Sequence, residues 1–554
     1  MIRKLVLPLA FAGAFLSAGP AAADTLIENV QGITIDEDGT LVRFTGLVID
    51  DDGRVRDVLA RNDDRPTDID FQEDGQGRVM LPGMIDAHLH VMDLGIQALT
   101  LDLSDTNSLE DALAKIAQFA ADNPGRPWIL GGGWNQEKWG LGRLPTAADL
   151  DAVIPDRPVW LDRVDGHASW ANSNAMRRAE VDATAVDPVG GRVIRMAGSH
   201  EPSGVFVDTA AALVRKVVPL PRPEDRDLAL RKAQQRLFAN GVTAAADMGT
   251  TIEDWQTFRR AGDNGTLKLR IMSYARNIAA MELIGGPAPT PWLYDDRLRL
   301  NGIKLYLDGA LGSRGATLKQ PYADEPGNRG LPITSPAQLR NLMSRAALDN
   351  FQVAVHAIGD AANADLLSAI EELYESYQGD RRWRVEHAQI VDPADIERFG
   401  RFGIIASMQP LHQTSDRLMA EARLGPDRLG GAYAWRSIAA TGAKLAFGSD
   451  APVEPPHVMN GLAAAISRTD PQGQPFGGWL PSETISRTDA LRAFTSDAAF
   501  AGFADGRFGR LVPGERADFI LVDRDPLLSS PEEIRKTVIY ETWINGEKVF
   551  SKEL

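Results

Sequence analysis

Eight short apolar runs punctuate the middle of this chain, at residues 79–86, 242–247, 269–274, 302–308, 352–356, 383–387, 404–409 and 444–450. Amphipathic stretches of helical length separate them. Strand-length apolar runs that alternate with helices are the signature of parallel β/α units. Eight such units predict a (β/α)8 TIM-type barrel, whose active site lies at the C-terminal ends of its strands. The polar residues of these runs obey that rule: His88, His90, Asp308, His356, His387, Gln409 and Asp450 fall at or just past a strand end. Lys304 is the exception, inside Ile303-Lys304-Leu305-Tyr306-Leu307.

The first two runs are far apart. The insertion between them, about 95–235, contains Trp128-Ile129-Leu130-Gly131-Gly132-Gly133-Trp134-Asn135-Gln136 and Arg163-Val164-Asp165-Gly166-His167. Long insertions on the top face of a barrel supply lids and substrate pockets. Both chain ends read differently from the middle. Residues 25–80 and the stretch after 510 are rich in β-type residues and Asp/Gly turns, and Asn545-Gly546 is a hairpin signal. The expected organisation is therefore a composite β-sandwich domain from 24–80 and 510–554, around a barrel at 81–509.

Residues 1–23 read as an export signal: Arg3 and Lys4, an apolar run over 5–16, and the small-residue site Ala21-Ala22-Ala23. That run is too short to span a bilayer comfortably, and no second such segment follows. A periplasmic or secreted protein without stable membrane insertion is expected. The net charge of -17 argues against nucleic acid as a partner. The 554 residues include no cysteine, so thiolate chemistry is excluded and every metal ligand must offer nitrogen or oxygen.

In Leu81-Pro82-Gly83-Met84-Ile85-Asp86-Ala87-His88-Leu89-His90 two histidines stand two residues apart. On extended backbone their side chains project from one face, which starts a zinc-type site. His356, His387 and Asp450 add metal-capable groups from other strands. A lysine inside an apolar strand is expensive unless it is used. Lys304 is either paired with a carboxylate such as Asp308, or carbamylated by carbon dioxide into a ligand that bridges two metal ions.

These motifs, with Lys304-Leu305-Tyr306-Leu307-Asp308-Gly309-Ala310-Leu311-Gly312-Ser313-Arg314, His356-Ala357-Ile358-Gly359-Asp360, Arg384-Val385-Glu386-His387, Gln409-Pro410-Leu411-His412 and Gly448-Ser449-Asp450-Ala451-Pro452, follow one another in order. Over nearly the whole chain the sequence resembles the metal-dependent amidohydrolase superfamily, in its amidohydrolase family 3 branch (N-substituted formamide deformylase-like). The resemblance implies a binuclear centre, usually zinc. His88, His90 and Asp450 would hold one ion, His356 and His387 the other, with carbamylated Lys304 and a hydroxide between them. It further implies hydrolysis of an amide-type C–N bond (N-acyl, N-formyl or cyclic amide) in a small substrate, with Asp450 moving the proton. An ester substrate on the same centre, or a barrel that only binds, are the alternatives.

Other residues carry weaker expectations. Arg314 binds a substrate carboxylate or carbonyl, or makes a loop salt bridge. His167 faces the site as an oxyanion donor. Trp134 and Gln136 line the pocket, although a tryptophan is more often core. His412 is a substrate contact or supports the ligands. Arg436 is structural, paired with Asp416, and His200 and His457 are surface residues. A homodimer is the prior expectation for a soluble oligomer.

Overall fold

The computed structural model describes residues 24–553, so the expected export segment lies outside the described residues. The apolar runs form one parallel sheet of eight strands: β1 (Met84–Leu89), β2 (Val242–Thr250), β3 (Arg270–Ala275), β4 (Leu298–Tyr306), β5 (Gln352–Ala357), β6 (Arg384–His387), β7 (Ile405–Met408) and β8 (Leu445–Phe447). Each pairs with its sequence neighbour, in the order of a nearly closed TIM-type barrel. Nearly every strand residue is buried, as helices packed outside a parallel sheet require. The register sets Tyr306 of β4 beside His356 of β5, and His356 beside Glu386 of β6. The helices start where local chemistry allows. Ser335 caps Pro336–Leu348 and Thr251 forms a capping box with Asp254 at Ile252–Asp263. Among the described residues no helix is long and apolar enough to cross a membrane.

The expected run 79–86 is two elements. Val79–Pro82 pairs with Thr25–Ile35 on one side and Phe519–Val522 on the other, whereas Met84–Leu89 enters the barrel. The break is Gly83, where a Cβ would lie 2.2 Å from the Thr243 hydroxyl. Glycine lets the chain cross from one sheet to the other against β2.

Strands from both chain ends join in one sheet and share a core around Phe44, Leu47, Phe519 and Trp543. Val79–Pro82 has neighbours on both edges, so seven of the eight strands follow one hydrogen-bonded path, and Phe71–Asp74 pairs beside it with Thr25–Ile35. Asn545 and Gly546 turn the last hairpin with positive φ at both positions. The insertion folds as a six-stranded sheet, parallel over Leu101–Asp102, Ile129–Trp134 and Val159–Arg163 and antiparallel thereafter. It has its own core around Trp134, Trp170 and Leu161.

The terminal sheet is tied to the barrel by a buried fork. Arg270 of β3 donates to both Asp518 carboxylate oxygens, at 2.5 and 2.8 Å. Asp518→Ala would strand that guanidinium and cost about 3–5 kcal/mol. A lower denaturant midpoint is the expected result. An unchanged midpoint would show that the pair does not hold the two sheets together.

Candidate metal centre

Barrel closure assembles the site. The Asp450 N–H donates to the His88 carbonyl at 2.7 Å, and the His90 N–H donates to the Ala451 carbonyl at 2.8 Å. These bonds stitch the end of β1 to the segment after β8. At Gly448 a Cβ would sit 2.5 Å from the His88 nitrogen, so any side chain there would wedge the seam open. Asp450 and His387 hold φ of 60° and 74°, strained values for residues with side chains. Backbone strain of this kind collects at functional sites, where the surrounding structure over-determines it.

Asp450 is the hub. His90 Nε2 is 3.2 Å and His88 Nε2 3.4 Å from its Oδ1. His412 Nε2 is 3.7 Å and His387 Nδ1 3.9 Å from its Oδ2. The His356 and His387 rings lie 4.6 Å apart, as do those of His88 and His387. Asp450 Oδ1 and His412 Nε2 are buried without a hydrogen-bond partner.

Fixed partners aim the imidazoles. Glu386 accepts from His88 Nδ1 at 2.6 Å, and Gln409 Oε1 from His387 Nδ1 at 2.9 Å. For His88 this leaves Nε2 facing Asp450 and Lys304. Arg384 braces Glu386 at 2.7 Å, all of it fully buried. Beneath the seam, Asp86 accepts from both the N–H and the hydroxyl of Ser449.

Electrostatics favours metal-ready states. Burial, with the Lys304 charge, pushes His88 down to about 4. Burial likewise holds His356 and His387 well below the usual histidine range. Burial opposes ionisation of Asp450, but the histidines around it win and hold it well below the usual carboxylate range. Burial opposes protonation of His90, but its Asp450 hydrogen bond wins and raises it. Neutral His88, His356 and His387 beside an ionised carboxylate whose Oδ1 has no protein partner match the donor set of a divalent transition metal.

Lys304 is buried, with Nζ 3.2 Å from His88 Nε2 and 4.8 Å from the Tyr306 ring. Its expected pairing with Asp308 does not form. Asp308 instead accepts backbone N–H groups of Thr317, Ile358 and Gly359 at 2.8, 3.1 and 2.9 Å. Among the described residues no carboxylate lies within ion-pairing distance of Lys304. Burial pushes its amine down to about 8.

His167 reaches the cluster from the insertion, its ring 5.1 Å from that of His356. Asp208 accepts from its Nδ1 at 2.6 Å. Burial opposes protonation, but the Asp208 bond and the charges of Asp208, Asp165 and Asp308 raise His167 to about 9. Sequence reasoning missed Asp208, which ends strand Pro202–Asp208 with no local motif to mark it. Six of the chain's eight histidines thus stand in or beside one cleft. His200 lies in an exposed turn, and His457 bonds Asn240 away from the cluster.

Other expected contacts lie elsewhere. Trp134 is fully buried, with its indole N–H on the Leu161 carbonyl, so it packs the insertion's core. Gln136 accepts from Arg163 and faces a neighbouring cavity rather than the metal cleft. Arg314 takes the salt-bridge alternative, 2.9 Å from Asp324 and 3.4 Å from Glu325, and also faces that neighbouring cavity. Arg436 bonds the Ser482 carbonyl, while Asp416 is held by the Tyr433 hydroxyl.

Comparison with known proteins agrees with this geometry. The profile described as "Amidohydrolase family" matches residues 73–550. Protein LONG AFTER FAR-RED 3 of Arabidopsis thaliana is 36% identical over 86% of this chain and 83% of its own. N-substituted formamide deformylase of Arthrobacter pascens is 24% identical over 85% of this chain and 88% of its own. A crystal structure of a metal-dependent hydrolase from Pyrococcus horikoshii superposes with a TM-score of 0.74 at 25% identity, covering 92% of this chain and 99% of that one.

His167 should stay protonated below about 9 and lose its proton as pH rises through that value. In Asp208→Asn burial loses its main opponent, so the titration should move down to or below the ordinary value near 6.5. Ring-proton NMR of histidine-labelled, metal-free protein reads this directly, with the signal assigned by His167→Gln. The same midpoint in both proteins would refute the pairing.

Proposed function

The chain belongs to the amidohydrolase family and is a metal-dependent hydrolase; on that premise we propose that it cleaves an amide-type C–N bond in a small substrate. The observation that carries this reading is the convergence of His88, His90, His387 and His412 on Asp450, whose Oδ1 is buried without a partner. His88, His90 and Asp450 would hold one ion, and His356 and His387 a second. Zinc suits such nitrogen and carboxylate donors. Lys304, buried and among the described residues without a carboxylate partner, would supply an oxygen ligand if carbon dioxide carbamylated its amine.

Bound there, two divalent ions supply Lewis acidity and a nucleophile at neutral pH. The chain's own groups do the rest. Asp450, held ionised, can accept the proton released by the attacking water on its carboxylate and deliver it to the departing nitrogen. The His167 imidazolium, kept charged by Asp208, donates to the substrate carbonyl oxygen as negative charge grows there. Glu386 and Gln409 keep the ring nitrogens of His88 and His387 on target. The basic, apolar and small-residue pattern of 1–23 supports export to the periplasm or beyond.

Protein prepared with zinc and bicarbonate should carry about two metals per chain by elemental analysis. Chelation should abolish turnover of a panel of N-acyl, N-formyl and cyclic amides, and re-addition should restore it. About one metal per chain would make Lys304 an ordinary lysine. Turnover of esters but not amides would replace the bond assignment.

Asp450→Ala should lower turnover about 10²–10⁴-fold, the usual worth of a positioned acid–base group. Much of the bound metal should remain. Unchanged turnover would remove Asp450 from proton transfer.

A further inference from the structure

Beside the metal cleft lies a second cavity whose lining is unusual. Five arginines face it, Arg143, Arg163, Arg192, Arg314 and Arg423, against a single acid, Glu137. The carboxylates that neutralise these arginines stand outside its lining: Asp149 on Arg143, Asp165 on Arg163, Asp324 on Arg314 and Arg423, and Glu325 on Arg192 and Arg314. Glu137 is itself committed to Arg423 at 2.6 Å.

The guanidinium donors are not all used. Nε of Arg192 and Nε of Arg423 are buried with no acceptor, and the Arg423 side chain is only 4% exposed. A buried charged donor left unmet is costly, so a small shift of either guanidinium toward an incoming acceptor would be favourable. Both terminal nitrogens of Arg423 are engaged, whereas Arg192 commits only Nη1, at 3.5 Å to Glu325, and its remaining edge matches a planar oxyanion gripped through two parallel bonds.

The cavity is not remote from the chemistry. Glu137, Arg163 and Gly312 line both it and the metal cleft. Asp416 and Glu454 line the cleft but not the cavity. They bond the Tyr433 and Ser415 hydroxyls, and among the described residues neither forms a salt bridge. A substrate with an acidic end would be disfavoured beside those carboxylates, whereas the incompletely used Arg192 guanidinium offers it donors.

We propose that this arginine-lined cavity seats a carboxylate carried by the substrate, so that the preferred substrates are acidic amides spanning from the metal centre to Arg192 and Arg423. This rests on the amide-hydrolase reading above and adds the charge and the reach of the molecule cleaved.

The test uses metal-loaded enzyme and matched pairs: N-acetylglycine and its longer ω-amino acid homologues, each against the same compound with its carboxyl group amidated. The acid of at least one length should be favoured in kcat/KM. Arg192→Met should raise KM for that acid about 10- to 100-fold, the loss of one charged hydrogen bond, with kcat little moved. Arg143→Met, which also removes a lining guanidinium, should act in the same direction. Calorimetric binding of the same acids to wild type and Arg192→Met keeps the inference testable if none is hydrolysed. Weaker binding to the variant supports it, and equal binding overturns it. Equal turnover of acids and amides, with Arg192→Met changing both alike, also overturns it. Activation by free acetate without acid-over-amide preference would make the cavity an effector site and overturn the substrate assignment. Metal content and turnover of neutral p-nitroacetanilide report separately on the hydrolase reading.

Discussion

The His88 carbonyl and the Asp450 N–H meet across the barrel seam at 2.7 Å, and the site is built on that closure. His88 and His90 come from the first strand and Asp450 from just beyond the eighth, more than 350 residues later. Only the closed barrel brings them to one point. The seam tolerates no side chain at Gly448, and it holds Asp450 at a positive φ. Strain there is affordable because the hydrogen bonds of Asp86 and Ser449 beneath it leave the backbone no alternative.

The second constraint is electrical. Four histidines, a lysine and an aspartate share a buried volume, where uncompensated charge is costly. The barrel answers with neutral imidazoles at His88, His356 and His387 and sets the ionised Glu386–Arg384 pair one layer below. Glu386 stays ionised because Arg384 and His88 outweigh its burial. One short chain of contacts therefore stabilises the barrel interior and orients a ligand. Lys304 has no such partner, which makes it the most conspicuous buried cation among the described residues.

The insertion contributes differently. Its sheet has an independent core, so it can present groups to the cleft without disturbing the barrel. It brings His167 on its Asp208 support, and Arg163 at the boundary between the cleft and the arginine-lined cavity. The barrel thus supplies the reactive centre, while the insertion supplies charge where a substrate would extend.

The sequence by itself determined the eight-strand order, the strand-end positions of His88, His90, His356, His387 and Asp450, and the strangeness of Lys304. Each is a local signal, an apolar run with a polar residue at its end, and local periodicity survives without coordinates. It also marked His167. It could not tell Trp134 as core from Trp134 as pocket, since both put an indole after a strand, and only packing against Leu161 and Trp170 decides. For Arg314 a substrate contact and a loop salt bridge were open alternatives until Asp324 and Glu325 were beside it. Asp208 behind His167, the split at Gly83 and the gathering of five arginines around one cavity were decided by tertiary structure alone. Each depends on which distant segments become neighbours, and a pairing across dozens of residues leaves no periodicity in the chain that makes it.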